Sequence, residues 1–263
     1  MNSLVIDLEL AQRLEQADIL GAADYAHTLN RLRAGAGAKV TAVGGGRAVL
    51  MGPRFPVNCI GALEFSALDE SALVKAEESC AQMGVPPSIT FCPLGREETL
   101  GLLRERGYLA RRFLNFYVRE AAALEPQIPA GVEIGEAESL VDWLEASRAA
   151  WGFSHPVDSP LFAQVALQRP RAHSFIAWAD SKPVAVGAMA LRDGLAFLNG
   201  AATAPEYQGR GLQRALLETR LALAAREGCD LAAVMASPGS QSARNIERMG
   251  FRLAYTRLAL EKP

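Results

Sequence analysis

The chain is poor in the residues that metal and redox chemistry need. It has four cysteines and three histidines in 263 residues. Cys59, Cys80, Cys92 and Cys229 form no C-x-x-C pair and have no histidine at ligand spacing, which argues against zinc. Buried free thiols in a reducing compartment are the expected state. Excess charge of one sign is also lacking: 27 basic and 29 acidic residues leave a net charge of −2. That balance gives no electrostatic reason to expect nucleic acid or an anionic membrane. No run approaches ~18 uninterrupted apolar residues, so no membrane-spanning helix is expected. Asp7, Glu9, Arg13 and Glu15 break up the first stretch, so it does not read as a secretory leader and a cytoplasmic location is expected. What the chain does have is 50% hydrophobic residues, enough for one large core or two smaller ones.

The most informative stretch is Gln208-Gly209-Arg210-Gly211-Leu212-Gln213. It lies between a strand-like run, Leu195 to Thr203, and a helix-like run, Ala215 to Arg226. The first N–H groups of a helix have no partner within it, and the dipole there favours an anion. Glycine lets the backbone approach a phosphate with no Cβ in the way. Gln208 and Arg210 add donors. A two-glycine turn can also merely end a strand, so its neighbours matter. Thr203-Ala204-Pro205-Glu206-Tyr207 leads into it, and Ser242 to Met249 reads as a short helix closed by Gly250-Phe251.

Together these residues resemble the GNAT superfamily of acyl-CoA N-acyltransferases over roughly Gly131 to Lys262. The six-residue stretch is similar to the family's acetyl-CoA loop, Q/R-x-x-G-x-G/A, with Gln213 in place of the last small residue. The resemblance implies an α/β mixed sheet flanked by helices and acetyl-CoA as co-substrate. It implies cofactor contacts from Ala202, Thr203, Gln208, Gly209, Arg210, Gly211, Leu212 and Gln213; Asn245, polar on the last helix, is a candidate to hydrogen-bond the pantetheine arm, with an exposed or capping asparagine as the alternative. No metal is implied. The family's oxyanion donor, a backbone N–H of the strand before the loop, falls on Ala202 or Thr203. Asn199 on the same strand is a candidate for the acceptor cleft, with a strand-end role as the alternative. The family's usual thiolate-protonating tyrosine falls on Ile246, a departure that leaves no dedicated general acid. A thiolate with a pKa near ~8.5 does not strictly require one.

Two halves meet at Glu120 to Gly131, where periodicity is lost and two prolines and a glycine close a linker. In the second half, Ser139 caps a helix carrying Leu140, Trp143, Leu144 and Trp151, with Asp142 in the capping-box place. Ser159-Pro160 starts another, with Phe162, Val165 and Ala166 inward. The runs 174–179, 184–191 and 195–203, separated by Asp180-Ser181-Lys182-Pro183 and Asp193-Gly194, predict an antiparallel meander. A strand Leu231 to Ala236, the short helix and a terminal strand Arg252 to Leu260 complete this half.

The first half repeats the grammar. Strands at Val40 to Val43, Arg47 to Met51 and Val57 to Leu63 are followed by a buried-looking Ser88 to Cys92. Leu103 to Tyr108 parallels Ile246 to Phe251, with glycines 250 − 107 = 143 residues apart. The chain therefore reads as two GNAT-like modules, each a mostly antiparallel mixed sheet flanked by helices: residues 1–125 and 131–263. The first copy has Ala67-Leu68-Asp69-Glu70-Ser71-Ala72 where the loop would be, with two carboxylates and no glycine. Asp69 and Glu70 suit a helix start but repel a pyrophosphate, so one acyl-CoA per chain is expected.

The implied reaction moves an acetyl group to a primary amine of a small molecule or peptide. A non-catalytic acyl-CoA-binding protein is the competing reading. A nucleotide P-loop is disfavoured, because no Lys-Ser/Thr follows the glycines. Glu206 as base and His155 as acceptor contact compete with plain surface roles; His173 and Tyr255 read as structural. The oligomeric state, a homodimer included, is open.

Overall fold

The computed structural model describes residues 4–152 and 159–263. Hydrogen bonding assigns its strands to one mixed sheet accompanied by helices, where the repeated grammar suggested a separate sheet for each half. Contacts group the chain into two compact units that interleave along the sequence: Met1–Tyr117 with Met235–Ile246 and Arg252–Pro263, and Val118–Val234 with Glu247–Phe251. Among the described residues, no helix is long and apolar enough to cross a membrane.

The first unit opens with α1 (Leu8–Leu32), capped by the Asp7 carboxylate, which accepts the Leu10 N–H at 2.9 Å. An antiparallel meander follows: β1 (Lys39–Val43), β2 (Gly46–Leu50) and β3 (Asn58–Gly61). Then come α2 (Glu70–Met83), β4 (Ser88–Phe91), α3 (Glu97–Glu105) and β5 (Leu109–Glu120), whose last residues run on into the second unit. β3 and β4 are parallel, paired at Ile60 and Ile89. The core packs Ile60, Leu63, Leu73, Ile89, Phe91, Leu103, Tyr108 and Leu260. The helix α1 was not legible because its buried stripe is weak, mixing Ala11, Leu14, Ile19, Ala23 and Ala26 with a buried Glu15.

The terminal strand, the eleventh and so β11 (Arg252–Glu261), departs from expectation. It pairs antiparallel with β4, from Leu258 opposite Phe91 to Glu261 opposite Ser88. Chemistry fixes that choice. Leu260 enters the first unit's core, while Tyr255 and Arg257 meet α1. The Tyr255 hydroxyl donates to Glu15 Oε1 (2.9 Å), and Arg257 Nη1 donates to Glu15 Oε2 (3.0 Å) and to Asp18. A buried carboxylate needs such partners.

The second unit contains β6 (Val132–Glu136), α4 (Leu140–Trp151), α5 (Pro160–Leu167), β7 (Ala172–Ala179), β8 (Lys182–Arg192), β9 (Leu195–Thr203), α6 (Leu212–Arg226) and the start of β10 (Leu231–Ala236). The strand order is β10-β9-β8-β7-β6. β6 to β9 form the expected antiparallel meander, with β6 as a further strand at its edge. Its turns have positive φ at both Asp180-Ser181 and Asp193-Gly194, matching the twist of the strands they join. Ser139 caps α4 by accepting the Asp142 N–H (3.1 Å), and its hydroxyl donates to the Asp142 carboxylate (2.7 Å). Ser159 likewise caps α5, burying Phe162, Ala163 and Val165, while Ala166 is half-buried. The linker after β5 has no regular structure but is anchored: the Ala121 N–H donates to the Asp230 carbonyl, and the Gln127 N–H to Glu218 Oε2 (2.7 Å).

Candidate active site

The cradle is built by a strand that ends, a short turn and a helix that begins. β9 ends at Thr203, and Pro205–Tyr207 form a single 3-10 turn. Gln208 folds back, its Nε2 donating to the Thr203 carbonyl at 3.3 Å. Gly209 and Gly211 take φ values of 76° and 82°, a region costly for other residues. Gly211 is the N-cap of α6, with no side-chain cap and no acidic residue in the first turn. The Ala215 N–H reaches back to the Gly211 carbonyl at 3.0 Å, so the intrahelical ladder starts there. The start of α6 thus keeps its first N–H groups and its positive dipole end uncapped by any side chain, features that suit an anion. A Cβ on Gly209 would meet nothing within 4 Å, and one on Gly211 only Pro129 Cγ at 3.6 Å. The cradle is open enough for a phosphate to reach the backbone.

The equivalent place in the first unit is closed. Asp69 caps α2, its Oδ1 accepting the Ala72 N–H and the Ser71 hydroxyl, both at 2.9 Å. The carboxylate already takes a donor that an anion would need. These bonds, the Ala72 N–H first, hold its pKa below the usual carboxylate range.

Of the expected cofactor residues, Gln208 to Gln213 lie together at this turn. Leu212 is buried at 2% exposure, so only its backbone is available there. The Arg210 guanidinium lies 4.7 Å over the Tyr207 ring. Asn245 belongs to the other unit, on the last helix, α7 (Gln241–Arg248), where its Oδ1 accepts from Gln241 Nε2 (2.9 Å). Ile246 on that helix is buried.

The end of β9 holds the candidate oxyanion donors. Pairing with β10 runs from Leu195 to Leu198, and Asn199–Thr203 extend past it. The Ala204 N–H donates to the Val184 carbonyl of β8 at 2.8 Å. Alternation along an antiparallel strand then directs the Ala202 N–H to β8 as well, and the Thr203 N–H to the opposite edge. Thr203 is therefore the better placed of the two. Asn199 Nδ2 reaches its own strand's Phe197 carbonyl at 3.4 Å. Glu206 is exposed, and His173 Nδ1 sits 2.9 Å from Glu136 Oε1. His155 lies outside the described residues. Tyr255 is in the first unit, its hydroxyl held by Glu15 and its ring 5.3 Å from Phe116.

Two features were missed from sequence. A Cβ on Gly200 would come within 3.9 Å of the Trp151 ring, so α4 approaches the end of β9. Arg220, a helix arginine that reads as surface, is buried at 3% exposure beneath β8 and β9. No spacing signals it; only Gly187 and Gly200, two glycines within otherwise regular strands, mark the place.

Among the described residues, Glu15, Glu64 and Cys92 form one buried group with ligand atoms within 4.8 Å of one another. It is poorly suited to a cation. Glu15 is already bonded by Arg257 and Tyr255, and burial pushes the Cys92 thiol up to about 12.

A family model described as the acetyltransferase (GNAT) family matches residues 137–251, which contain both the cradle and the end of β9. No curated protein matches the chain. Solved structures share its fold. A GCN5-related N-acetyltransferase from Kribbella flavida superposes with a TM-score of 0.73 at 19% identity, over 98% of this chain and 97% of that one. A tandem GNAT protein from the clavulanic acid biosynthesis pathway gives 0.65 at 13% identity, over 98% and 96%. A GCN5-related N-acetyltransferase from Sphaerobacter thermophilus gives 0.61 at 16%, over 83% and 76%. At these identities the likeness is one of fold.

Proposed function

We propose that this protein is an acetyl-CoA-dependent N-acetyltransferase acting on a primary amine of a small molecule or peptide. The observation that carries the reading is the start of α6: a glycine N-cap with no side-chain cap and no acid in the first turn, placed directly after β9 inside the region matched by the acetyltransferase family. The backbone of Gly209 to Gln213 holds the pyrophosphate, and Gln208 and Arg210 support it. The tandem description of one relative fits residues 1–125 being a copy of 131–263, and the Asp69 cap of α2 is what supports that first copy not binding acyl-CoA.

The transfer is direct. The amine nitrogen attacks the thioester carbon, and the negative charge on oxygen is met by the Thr203 N–H, with Ala202 and Asn199 lining the same strand end. The C–S bond breaks, CoA leaves as thiolate, and the amine proton passes to water. Holding both reactants supplies much of the acceleration. Buried Ile246 in the place of the family's acid favours a second reading, a protein that binds acyl-CoA without turning it over. Incubating the protein with acetyl-CoA and a panel of amines, with release of free thiol and acetylated product measured, separates the two. Saturable CoA binding without product from any amine would sink the enzyme reading.

A further inference from the structure

The pairing of β8 with β9 slips at one place. Val186 faces Ala202 and Ala188 faces Asn199, so two steps on β8 oppose three on β9. The extra residue is a bulge at Gly200–Ala201, where Gly200 has φ 58°. A bulge interrupts the ladder and leaves backbone groups to be satisfied by other means. Here one side chain does so. Arg220 Nη1 donates to the Ala188 carbonyl at 3.0 Å and to the Asn199 carbonyl at 3.3 Å, one on each strand at the same edge of the slip. Its Nε donates to Leu216 of its own helix at 3.0 Å, which fixes the guanidinium plane.

The arrangement is expensive to keep. Among the described residues no carboxylate offsets this guanidinium, and burial alone pulls its pKa down to about 10. A buried cation bonded only to neutral carbonyls is rarely worth its desolvation as packing. The strand makes room for it as well: a Cβ on Gly187 would lie 3.0 Å from Arg220 Cζ. Three residues on separate elements, Gly187 on β8, Gly200 on β9 and Arg220 on α6, therefore interlock at one point. Arg220 also stands about two turns, roughly 12 Å, along the helix whose first residues form the cradle. One rigid element joins the phosphate end to the strand end.

We infer that Arg220 is a positioning residue for the acyl-transfer step, holding the β9 bulge so that the Thr203 N–H stays aimed at the acyl carbonyl. This rests on the transferase reading. It assigns no cofactor contact to Arg220, because the side chain lies beneath the strands, away from Gly209 and Gly211. Nη1 alone meets both strand carbonyls while Nε is tied to the Leu216 carbonyl, a fork that the single ammonium of lysine does not reproduce, so Arg220→Lys should restore only part of the function.

The test measures kcat, the acetyl-CoA KM and the CoA Kd for wild type, Arg220→Met, Arg220→Lys and Gly187→Ala. Turnover by the wild type, scored first, reports on the transferase reading separately. The expected result is a kcat lowered at least tenfold in Arg220→Met, less in Arg220→Lys, with CoA Kd within twofold of wild type. Gly187→Ala displaces the guanidinium without removing its charge and should lower kcat in the same sense; it decides the matter if Arg220→Met does not fold. An unchanged kcat, or kcat and CoA affinity falling in parallel, overturns the inference.

Discussion

Replacing Gly211 by aspartate would give α6 the kind of cap that Asp69 gives α2. Space is no obstacle, because the new Cβ would meet Pro129 Cγ at an ordinary 3.6 Å. The backbone is the first cost: at φ 82° a Cβ is worth roughly 1–2 kcal/mol of strain, less for Asp and Asn, which tolerate this region. Both also cap helices, so both variants should stay folded. What separates them is charge. A carboxylate at roughly 5 Å from a doubly charged pyrophosphate costs about 1.7 kcal/mol in bulk water, and about half that after screening at physiological salt. Gly211→Asp should therefore bind CoA about 5–15-fold more weakly than Gly211→Asn. Titration calorimetry at low and high ionic strength reads this directly, and the gap should narrow as salt rises. Equal affinities at low salt would remove the start of α6 from the phosphate site.

Three further outcomes are expected. Replacing Asp69 and Glu70 by alanine should leave CoA stoichiometry at one per chain while removing the α2 cap; two sites in the wild type would refute the degenerate-copy reading. Tyr255→Phe and Tyr207→Phe should each keep kcat within about tenfold. The former should also destabilise the fold by about 1–3 kcal/mol, because Glu15 loses a donor; a thousandfold loss of kcat with CoA affinity intact would show that a displaced tyrosine acts as the acid. Glu64, raised to about 8 mainly by burial, holds a proton in the folded chain that the unfolded chain releases above its ordinary value of 4.5. Its contribution is complete below that value and is lost as pH rises towards about 8, amounting to on the order of a few kcal/mol. Denaturant midpoints at pH 5 and pH 8 should converge in Glu64→Gln relative to wild type, and parallel shifts in both proteins would refute the assignment.

What the sequence made legible was local. Asp193-Gly194, Ser139 with Asp142, and the glycines at 209 and 211 each report a backbone geometry within a few residues, and each is found as read. What it hid was long-range. β11 follows a GNAT-like helix and turn, so its order in the chain suggested the second half; its partner was set by Tyr255 and Arg257 meeting Glu15, about 240 residues earlier. β6 escaped notice because Val132 and Ile134 are the only apolar residues on a short strand beside a proline-rich linker. Arg220 could not be found by periodicity, since an arginine on a helix gives no sign of which carbonyls it will meet. Ala202 and Thr203 were indistinguishable until strand register separated them.

The pairing of β4 with β11 also sets a timetable for the nascent chain. Some 160 residues (251 − 91) separate β4 from the start of its partner strand and must be synthesised first. At about 5–20 residues per second this leaves β4 waiting roughly 10–30 s. Through that interval Ile89 and Phe91 belong to a strand whose β11-facing edge is unfilled, the kind of surface that recruits wrong partners. Glu15 waits longer still for Arg257 and Tyr255, as a carboxylate that cannot be buried until they arrive. The first unit therefore cannot finish folding during its own synthesis. Slowing translation should lengthen its exposure to chaperones and proteases rather than help it fold.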